Sequence, residues 1–493
     1  MNAPFPPYGQ SLSLLTDLYE LTMASGYWKS DLAEREAVFH LYFRKNPFQG
    51  GYVVAGGLGP AVEFVRGFRF DETDLEYLRT LIGTDQKPLF EQPFLEYLEE
   101  MEFRCDIDAM PEGQIVFPQE PLVRVRGPLI ECQLLESALL NVVNFQSLIA
   151  TKALRVTTAA EGDPVLEFGL RRAQGVDGAL AASRAAYLGG CTGTSNVLAG
   201  KLFGIPVKGT HAHSWVMSFD TEQEAFDTWA DTMPNNSIFL VDTYDTLEGI
   251  DRAIAAGRRL TERGAKMRGI RLDSGDLVDL SREARRRLDR SGFEDARIVG
   301  SGDLDEHAIA DLKRRGAKID VWGVGTRLVT GHDDPALGGV YKLTAIRDES
   351  GAWSDRVKLS DDLNKISNPG VQQVRRYTAG GRFVGDVIYD ERSGIDQPPR
   401  AVQASEQETP FEIPPDAEWQ DLLQPIFRGG VCLCEPAPLS VARETVRHQR
   451  EALDPEILRL TNPARYPVGL ERRLWESKQE LAARHGVSSA ASD

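Results

Sequence analysis

Two histidines separated by one residue, His211 and His213, stand among small residues in Gly209-Thr210-His211-Ala212-His213-Ser214-Trp215, directly after the apolar run Phe203 to Val207. A neutral imidazole can act as a nucleophile or carry a proton near neutral pH. A lone pair of this kind is usually an accident of core or surface, so its neighbours decide its meaning. They are Phe168-Gly169-Leu170-Arg171-Arg172, Gly193-Thr194-Ser195-Asn196, Arg271-Leu272-Asp273-Ser274-Gly275-Asp276, Gly300-Ser301-Gly302-Asp303 and Gly323-Val324-Gly325-Thr326. Each is a small, polar or charged cluster placed after an apolar run, the pattern of a site built from successive strand ends.

The glycine-rich clusters at 300–302 and 323–325 let backbone N–H groups approach an anion closely, and the helices that follow add a favourable dipole. One such turn means little. Two on consecutive units, in the company of Arg171, Arg172 and Arg271, point to a phosphorylated substrate. Asp273 and Asp276 could hold Mg2+ through water, and the alternative for Asp276 is an N-cap carboxylate for a helix starting at 277. No P-loop, nucleophile-elbow or dinucleotide fingerprint is present, which turns the chemistry away from ordinary kinases, elbow hydrolases and nicotinamide dehydrogenases.

These clusters need a scaffold that gathers strand exits on one face. From Val165 onward, strand, loop and helix alternate: Val165 to Phe168 then Ala179 to Leu188; Ile238 to Val241 then Asp245 to Leu260; Gly269 to Leu272 then Leu277 to Leu288; Arg297 to Val299; Ile319 to Trp322. Alternation of this kind implies parallel strands with helical crossovers, and polar clusters at nearly every exit favour a barrel over an open sheet. The fold class is therefore α/β, an irregular (β/α) barrel at 151–350, with an N-terminal α+β domain at 1–150 and a C-terminal accessory region at 351–493. In the N-terminal part, apolar residues at helical spacing follow Asp17, and residues 37–43 alternate as a half-buried strand, with His40 lining one face. Residues 129–155 form one long apolar helical stretch. Beyond 352, hairpin strands Val371 to Tyr377 and Phe383 to Tyr389 flank Gly380-Gly381. Residues 394–418 look like a linker or wandering loop, and a strand near 431–434 and helices near 439–452 and 470–484 follow.

At 493 residues the chain exceeds a single core. A formal charge of −18 argues against nucleic-acid or membrane-surface partners, so an anionic ligand must meet a local basic cluster. Five cysteines without framework spacing indicate a reducing, cytoplasmic compartment. Cys432 and Cys434 fit buried strand thiols better than a metal site. No signal peptide is evident, and the apolar runs look too short to cross a bilayer.

The run Phe168 to Gly200, the Gly209–Trp215 heptad, Arg271 to Leu277, Gly323 to Thr326, Gly339 to Leu343 and Lys358 to Gly370 resemble the nicotinate phosphoribosyltransferase family, over at least residues 11–375. The resemblance implies an enzyme of NAD salvage, classed with ligases, that makes nicotinate mononucleotide and diphosphate from nicotinate and 5-phosphoribosyl 1-diphosphate, with Mg2+ and coupled ATP hydrolysis. It implies a homodimer with sites at the subunit interface. By the same resemblance Phe168 and Arg271 sandwich the pyridine ring, the partner subunit contributes its Tyr19, and Thr210 lies in the nicotinate pocket. Arg171 meets the phosphoribosyl diphosphate, and Asp273 organises the ribose or its Mg2+. Ser301, Gly302, Gly325 and Thr326 belong to the loops for the 5′-phosphate, and His213 matches the histidine phosphorylated by ATP, with His211 its neighbour. A nicotinamide- or quinolinate-using relative and a non-catalytic phosphoribosyl-metabolite sensor are the competing readings. Nicotinamide-using relatives carry an acidic residue in place of Ser195, where a carboxylate would repel nicotinate. Ser195→Asp is therefore expected to lower kcat/KM for nicotinate by ~10-fold or more, and unchanged nicotinate kinetics would count against the pocket.

Overall fold

A computed structural model describes residues 11–360, 366–397, 399–403, 410–433 and 435–484. Cys434 and part of the Lys358–Gly370 motif lie outside the described residues. The chain divides into two compact units, Met1–Leu148 together with Ala336–Asp493, and Ile149–Pro335.

In the first unit an antiparallel seven-stranded sheet runs Trp353–Asp355, Gly339–Arg347, Glu36–Phe43, Val123–Pro128, Asp106–Ala109, Gln424–Arg428, Val431–Cys432. Strands from both ends of the chain share this sheet, which is why the first 148 residues and the last 158 form one unit rather than two. The alternation at 37–43 does mark a strand, but seven of the eight residues of Glu36–Phe43 are buried rather than half of them. Phe39, Leu41 and Phe43 enter the main apolar core. On the other face Val38 packs with Ala345 and Val371. His40 is buried there too: its Nδ1 faces Thr344 Oγ1 at 2.9 Å and its Nε2 accepts the Gln372 N–H at 3.2 Å. Polar residues on this face are thus matched within the protein rather than by water.

The second sheet of this unit runs Pro410–Glu412, Arg400–Gln403, Val468–Glu471, Arg382–Asp390, Gln372–Ala379, Glu418–Asp421. The hairpin about Gly380-Gly381 is present. The segment 394–418, read from sequence as loop, contributes short strands instead. Their stability comes from pairing with Val468–Glu471 and Gln372–Ala379, partners that local composition does not reveal. Helices Leu439–Ala452 and Arg472–Arg484 follow the sequence expectation. Cys432 is half-buried, not buried.

The helical stretch Leu129–Ala159 corrects another expectation, since it is long and apolar enough to cross a membrane. Two-thirds of its most apolar window is buried inside the fold, as in a core helix of a water-soluble protein.

The second unit carries the barrel. Parallel strands Val165–Glu167, Gly193–Thr194, Ile238–Leu240, Gly269–Leu272, Arg297–Gly300 and Val321–Val324 follow one another around it, and Val321–Val324 pairs back onto Val165–Glu167. Thr194 bridges Val207 in parallel. Between Val207 and Ile238 the ring is closed by side chains rather than a ladder: Asn236 donates to Gly209 O at 3.2 Å, and the Leu240 N–H donates to His211 Nε2 at 3.2 Å. That gap is the irregularity of the barrel.

Within the first unit, Glu120 is fully buried and accepts the Phe117 N–H at 2.9 Å beside a second buried carboxylate, Asp386. Asp386 is held by Arg376 at 2.6 Å and by the Tyr466 hydroxyl at 2.9 Å. Burial and then the Asp386 charge push the Glu120 carboxyl well above its ordinary range, against the opposing pull of Arg376. A carboxyl raised on folding stabilises below the unfolded carboxylate range and loses that contribution as pH rises through its folded value. Glu120→Gln is expected to match wild type near pH 5 and to melt roughly 2–4 °C higher near pH 9, read by thermal unfolding at both pH values.

Candidate active site

The exits of the barrel strands meet around one guanidinium. Arg271 sits third in Gly269–Leu272, and its Nε donates to Ser301 Oγ at 2.8 Å, its Nη2 to Asp273 Oδ1 at 2.7 Å and its Nη1 to Thr210 Oγ1 at 3.4 Å. Its Cζ lies 5.4 Å from the centroid of the Phe168 ring. Three polar partners and one aromatic face define the orientation of a planar cation far better than a single ion pair could.

Phe168 is held at the exit of Val165–Glu167 by its N–H, which donates to Val324 O at 2.8 Å. Gly323 makes room for the ring, because a Cβ there would stand 2.8 Å from Phe168 Cδ2. Glu167, wholly buried, accepts from Ser183 Oγ at 2.8 Å, from Thr194 Oγ1 and from the Gly169 N–H. It joins the first two exits beneath the site. The Ser195 N–H donates to Glu167 O at 2.9 Å, so Ser195 begins its loop beside the same residue.

Asp273 receives a hydrogen bond from Ser301 Oγ as well as from Arg271. Burial would raise its carboxyl, but the Ser301 hydroxyl and the Arg271 charge outweigh burial and hold it below the usual carboxylate range. Its N–H donates to Asp242 Oδ2 at 2.9 Å, and the Ser274 hydroxyl donates to the same oxygen at 2.6 Å. Asp242 Oδ1 is buried with no hydrogen-bond partner among the described residues. Gly302 has φ +97°, and a Cβ on it would fall 2.1 Å from Asp273 O, so only glycine lets this loop pack onto the neighbouring exit.

The two histidines do different work. His211 is buried, with Nε2 accepting the Leu240 N–H, which leaves the proton on Nδ1, 3.4 Å from Ala212 O. Burial first, then the nearby Arg271 and His213 charges, push it down to about 4. It is a structural closure of the barrel. His213 is 42% exposed, its Nδ1 faces Thr243 Oγ1 at 3.2 Å, and its Nε2 is 4.0 Å from Asp273 Oδ2.

Phe168, Thr210, Arg271, Asp273 and Ser301 are thus in direct contact, with Gly302 packed on Asp273 and His213 at its edge. Gly325 lies against the Phe168 backbone, since a Cβ there would be 3.2 Å from Phe168 O. Thr326 begins the short helix Thr326–Val329 in the same loop. Arg171 and Arg172 occupy an exposed turn, Leu170–Arg172, with no carboxylate partner among the described residues. Asp276 caps Leu277–Arg290 by accepting from Val278 N at 2.9 Å, and it pairs with Arg315 at 3.3 Å, the role named as its alternative. Tyr19 belongs to the other unit, on Leu18–Lys29, 46% exposed, its hydroxyl raised to about 12 by partial burial and by Glu136. Asp242, Thr243 and Glu167 were not singled out from the sequence. Asp242 and Thr243 stand directly after the apolar run Ile238 to Val241, the same signal that picked out Asp273.

In the first unit Lys342 is pushed down by burial, with Arg44 and Lys358 adding to the effect against Glu136. Arg44 Nε is buried without a hydrogen-bond partner among the described residues.

Three family descriptions match the chain: the nicotinate phosphoribosyltransferase N-terminal domain at residues 14–144, the nicotinate phosphoribosyltransferase family at 164–352 and its C-terminal domain at 372–478. A nicotinate phosphoribosyltransferase of Bacillus subtilis is 43% identical over 95% of both chains. One from Mycobacterium tuberculosis is 43% identical over 94% of this chain and 92% of its own. The crystal structure of human nicotinic acid phosphoribosyltransferase superposes with a TM-score of 0.82 at 32% identity, covering 94% of this chain and 99% of that one.

His211 also yields a pH test. A histidine depressed on folding stabilises fully above its unfolded value and loses that contribution as pH falls from about 6.5 towards 4, a change of up to about 3 kcal/mol. Urea unfolding of wild type and His211→Asn across this window should show a flatter profile for the variant.

Proposed function

Because the chain belongs to the nicotinate phosphoribosyltransferase family, we propose that it joins nicotinate to 5-phosphoribosyl 1-diphosphate, yielding nicotinate mononucleotide and diphosphate with ATP hydrolysed alongside. The observation that carries this reading is the single guanidinium of Arg271 bonded to Thr210, Asp273 and Ser301 across from the Phe168 ring.

Transfer at C1 of the ribose develops positive charge on the sugar while diphosphate departs, so the protein must position the reactants and balance charge. The pyridine nitrogen is already a nucleophile, and no general base is required. Phe168 and Arg271 flank the ring, and Arg271 offers a positive charge to the nicotinate carboxylate while Thr210 and Ser195 line its pocket. An inserted ring needs roughly 7 Å between its two flanking layers, more than the 5.4 Å observed. Binding therefore parts Arg271 from Phe168, and the hydrogen bonds to Ser301 and Asp273 keep the guanidinium plane oriented while it moves. Tyr19 of the partner subunit completes the pocket in a homodimer. Arg171, exposed and without a carboxylate partner among the described residues, meets the diphosphate. The exits at 300–303 and 323–326 hold the 5′-phosphate.

Asp273, kept ionised by its neighbours, together with the unpartnered Oδ1 of Asp242, suits Mg2+ carried in by the diphosphate. When bound, the ion neutralises charge on the leaving diphosphate. Asp276, engaged as a helix cap, is left out of this set. His213 takes the phosphoryl group of ATP. With Nδ1 donating to Thr243 Oγ1, the exposed Nε2 presents a lone pair, and the new negative charge reorganises the basic loops nearby. Four free cysteines among the described residues support a cytoplasmic, reducing location.

Purified protein supplied with nicotinate, phosphoribosyl diphosphate and Mg2+ is expected to form nicotinate mononucleotide by mass spectrometry, faster with ATP. Nicotinamide or quinolinate in its place should give little product. His213→Ala should keep the slow ATP-independent rate and lose the stimulation, ~10-fold or more. A variant that still hydrolysed ATP in step with product would remove the phosphohistidine role.

A further inference from the structure

The two glycine-rich exits assigned to the 5′-phosphate leave neighbouring strands, Arg297–Gly300 and Val321–Val324. Backbone pairing fixes their separation only as far as Gly300 and Trp322, the last residues in register. Beyond that point no backbone hydrogen bond joins the exits among the described residues. A side-chain bond does: Arg327 Nη1 donates to Asp305 Oδ2 at 2.6 Å. Arg327 follows Thr326 directly, and Asp305 lies two residues past Asp303.

The two ends of this link are anchored differently. Asp305, 5% exposed, spends its other oxygen on the Ala308 N–H at 2.7 Å, capping Glu306–Arg314. Its neighbour Glu306 is wholly buried and meets Arg155 Nε at 2.9 Å and Lys152 Nζ at 2.9 Å, which fixes the start of that helix. Arg327, 38% exposed, sits in the four-residue helix Thr326–Val329, which is held by the buried Leu328 and Val329 rather than by ion pairs. The pair therefore ties one exit to the other beyond the last paired residues.

We infer that Asp305 and Arg327 are positioning residues whose ion pair sets the gap between the exits at 300–303 and 323–326, and with it the affinity for the 5′-phosphate of phosphoribosyl diphosphate. The inference rests on the proposed function. A phosphate that takes N–H groups from both exits needs them within hydrogen-bonding reach at once, so slack between the exits weakens the phosphate first, while Arg271 and Phe168, which flank the pyridine, are carried by other strands.

The test is a double-mutant cycle in full-length protein, with KM measured separately for phosphoribosyl diphosphate and for nicotinate. Asp305→Asn keeps the helix cap and loses the charge, while Arg327→Met keeps the apolar stem. Each should raise KM for phosphoribosyl diphosphate about tenfold, with the double variant no worse than either, and Arg327→Lys should restore part of the loss. KM for nicotinate and kcat should stay within about twofold. Additive losses, equal losses for both substrates or no loss would overturn the clamp. An effect of Arg327→Met without one of Asp305→Asn would overturn it too, placing Arg327 on the phosphate itself. Absence of product from wild-type protein overturns function and clamp together, whereas unaltered variants of a productive enzyme overturn the clamp alone.

Discussion

The hydrogen bonds of one arginine hold the site together. Arg271 reaches Thr210, Asp273 and Ser301, which come from three separate stretches of chain, and it faces the ring of Phe168 from a fourth. A guanidinium in water would gain little from such contacts. Here it is mostly shielded, so each bond to it is stronger and each partner is expensive to leave unpaired. The same bonds hold Asp273 in its ionised form. Position and charge state therefore have one cause.

Around that centre the barrel uses glycine where two exits must touch and a buried carboxylate where they must be tied. Gly302 rests on the Asp273 carbonyl, and Gly323 admits the Phe168 ring. Glu167 binds Ser183, Thr194 and the Gly169 N–H beneath the Phe168 exit, and Asp242 holds the Asp273-Ser274 turn. Glu167 is wholly buried and matched by donors from other loops, whereas Asp242 is half-buried and leaves Oδ1 unmatched among the described residues. An excess of acidic residues over the whole chain is thus compatible with an anion site, because the local pairing, not the net charge, sets the field in the cleft.

The first unit follows the same rule on a larger scale. Its sheet brings together residues separated by more than three hundred positions, as in the pairing of Leu41 with Tyr341. His40, Arg124, Arg376 and Glu120 are all buried and each is hydrogen-bonded or ion-paired, His40 and Arg124 with Gln372 far off in the chain. A face that alternates apolar and polar residues is normally half wet. This one is dry on both sides because later strands supply the missing partners.

The sequence by itself determined the parallel barrel and the clusters at its strand exits, since alternating apolar runs, helical periodicity and glycine-rich turns are local signals. It also marked Phe168, Arg271, Asp273 and Ser301, each lying at or just beyond a strand end. The family resemblance separated His213 from His211, but the residues around them gave no local reason for the difference. One nitrogen environment differs from the other only because Leu240 lies beside the first ring and Thr243 beside the second. Nor could the sequence show that residues 394–418 add strands, that Glu36–Phe43 is buried on both faces, or that Asp305 reaches Arg327. Those outcomes depend on partners distant in the chain, and hydrogen bonding and burial are properties of the assembled neighbourhood, which only the tertiary structure brings into being.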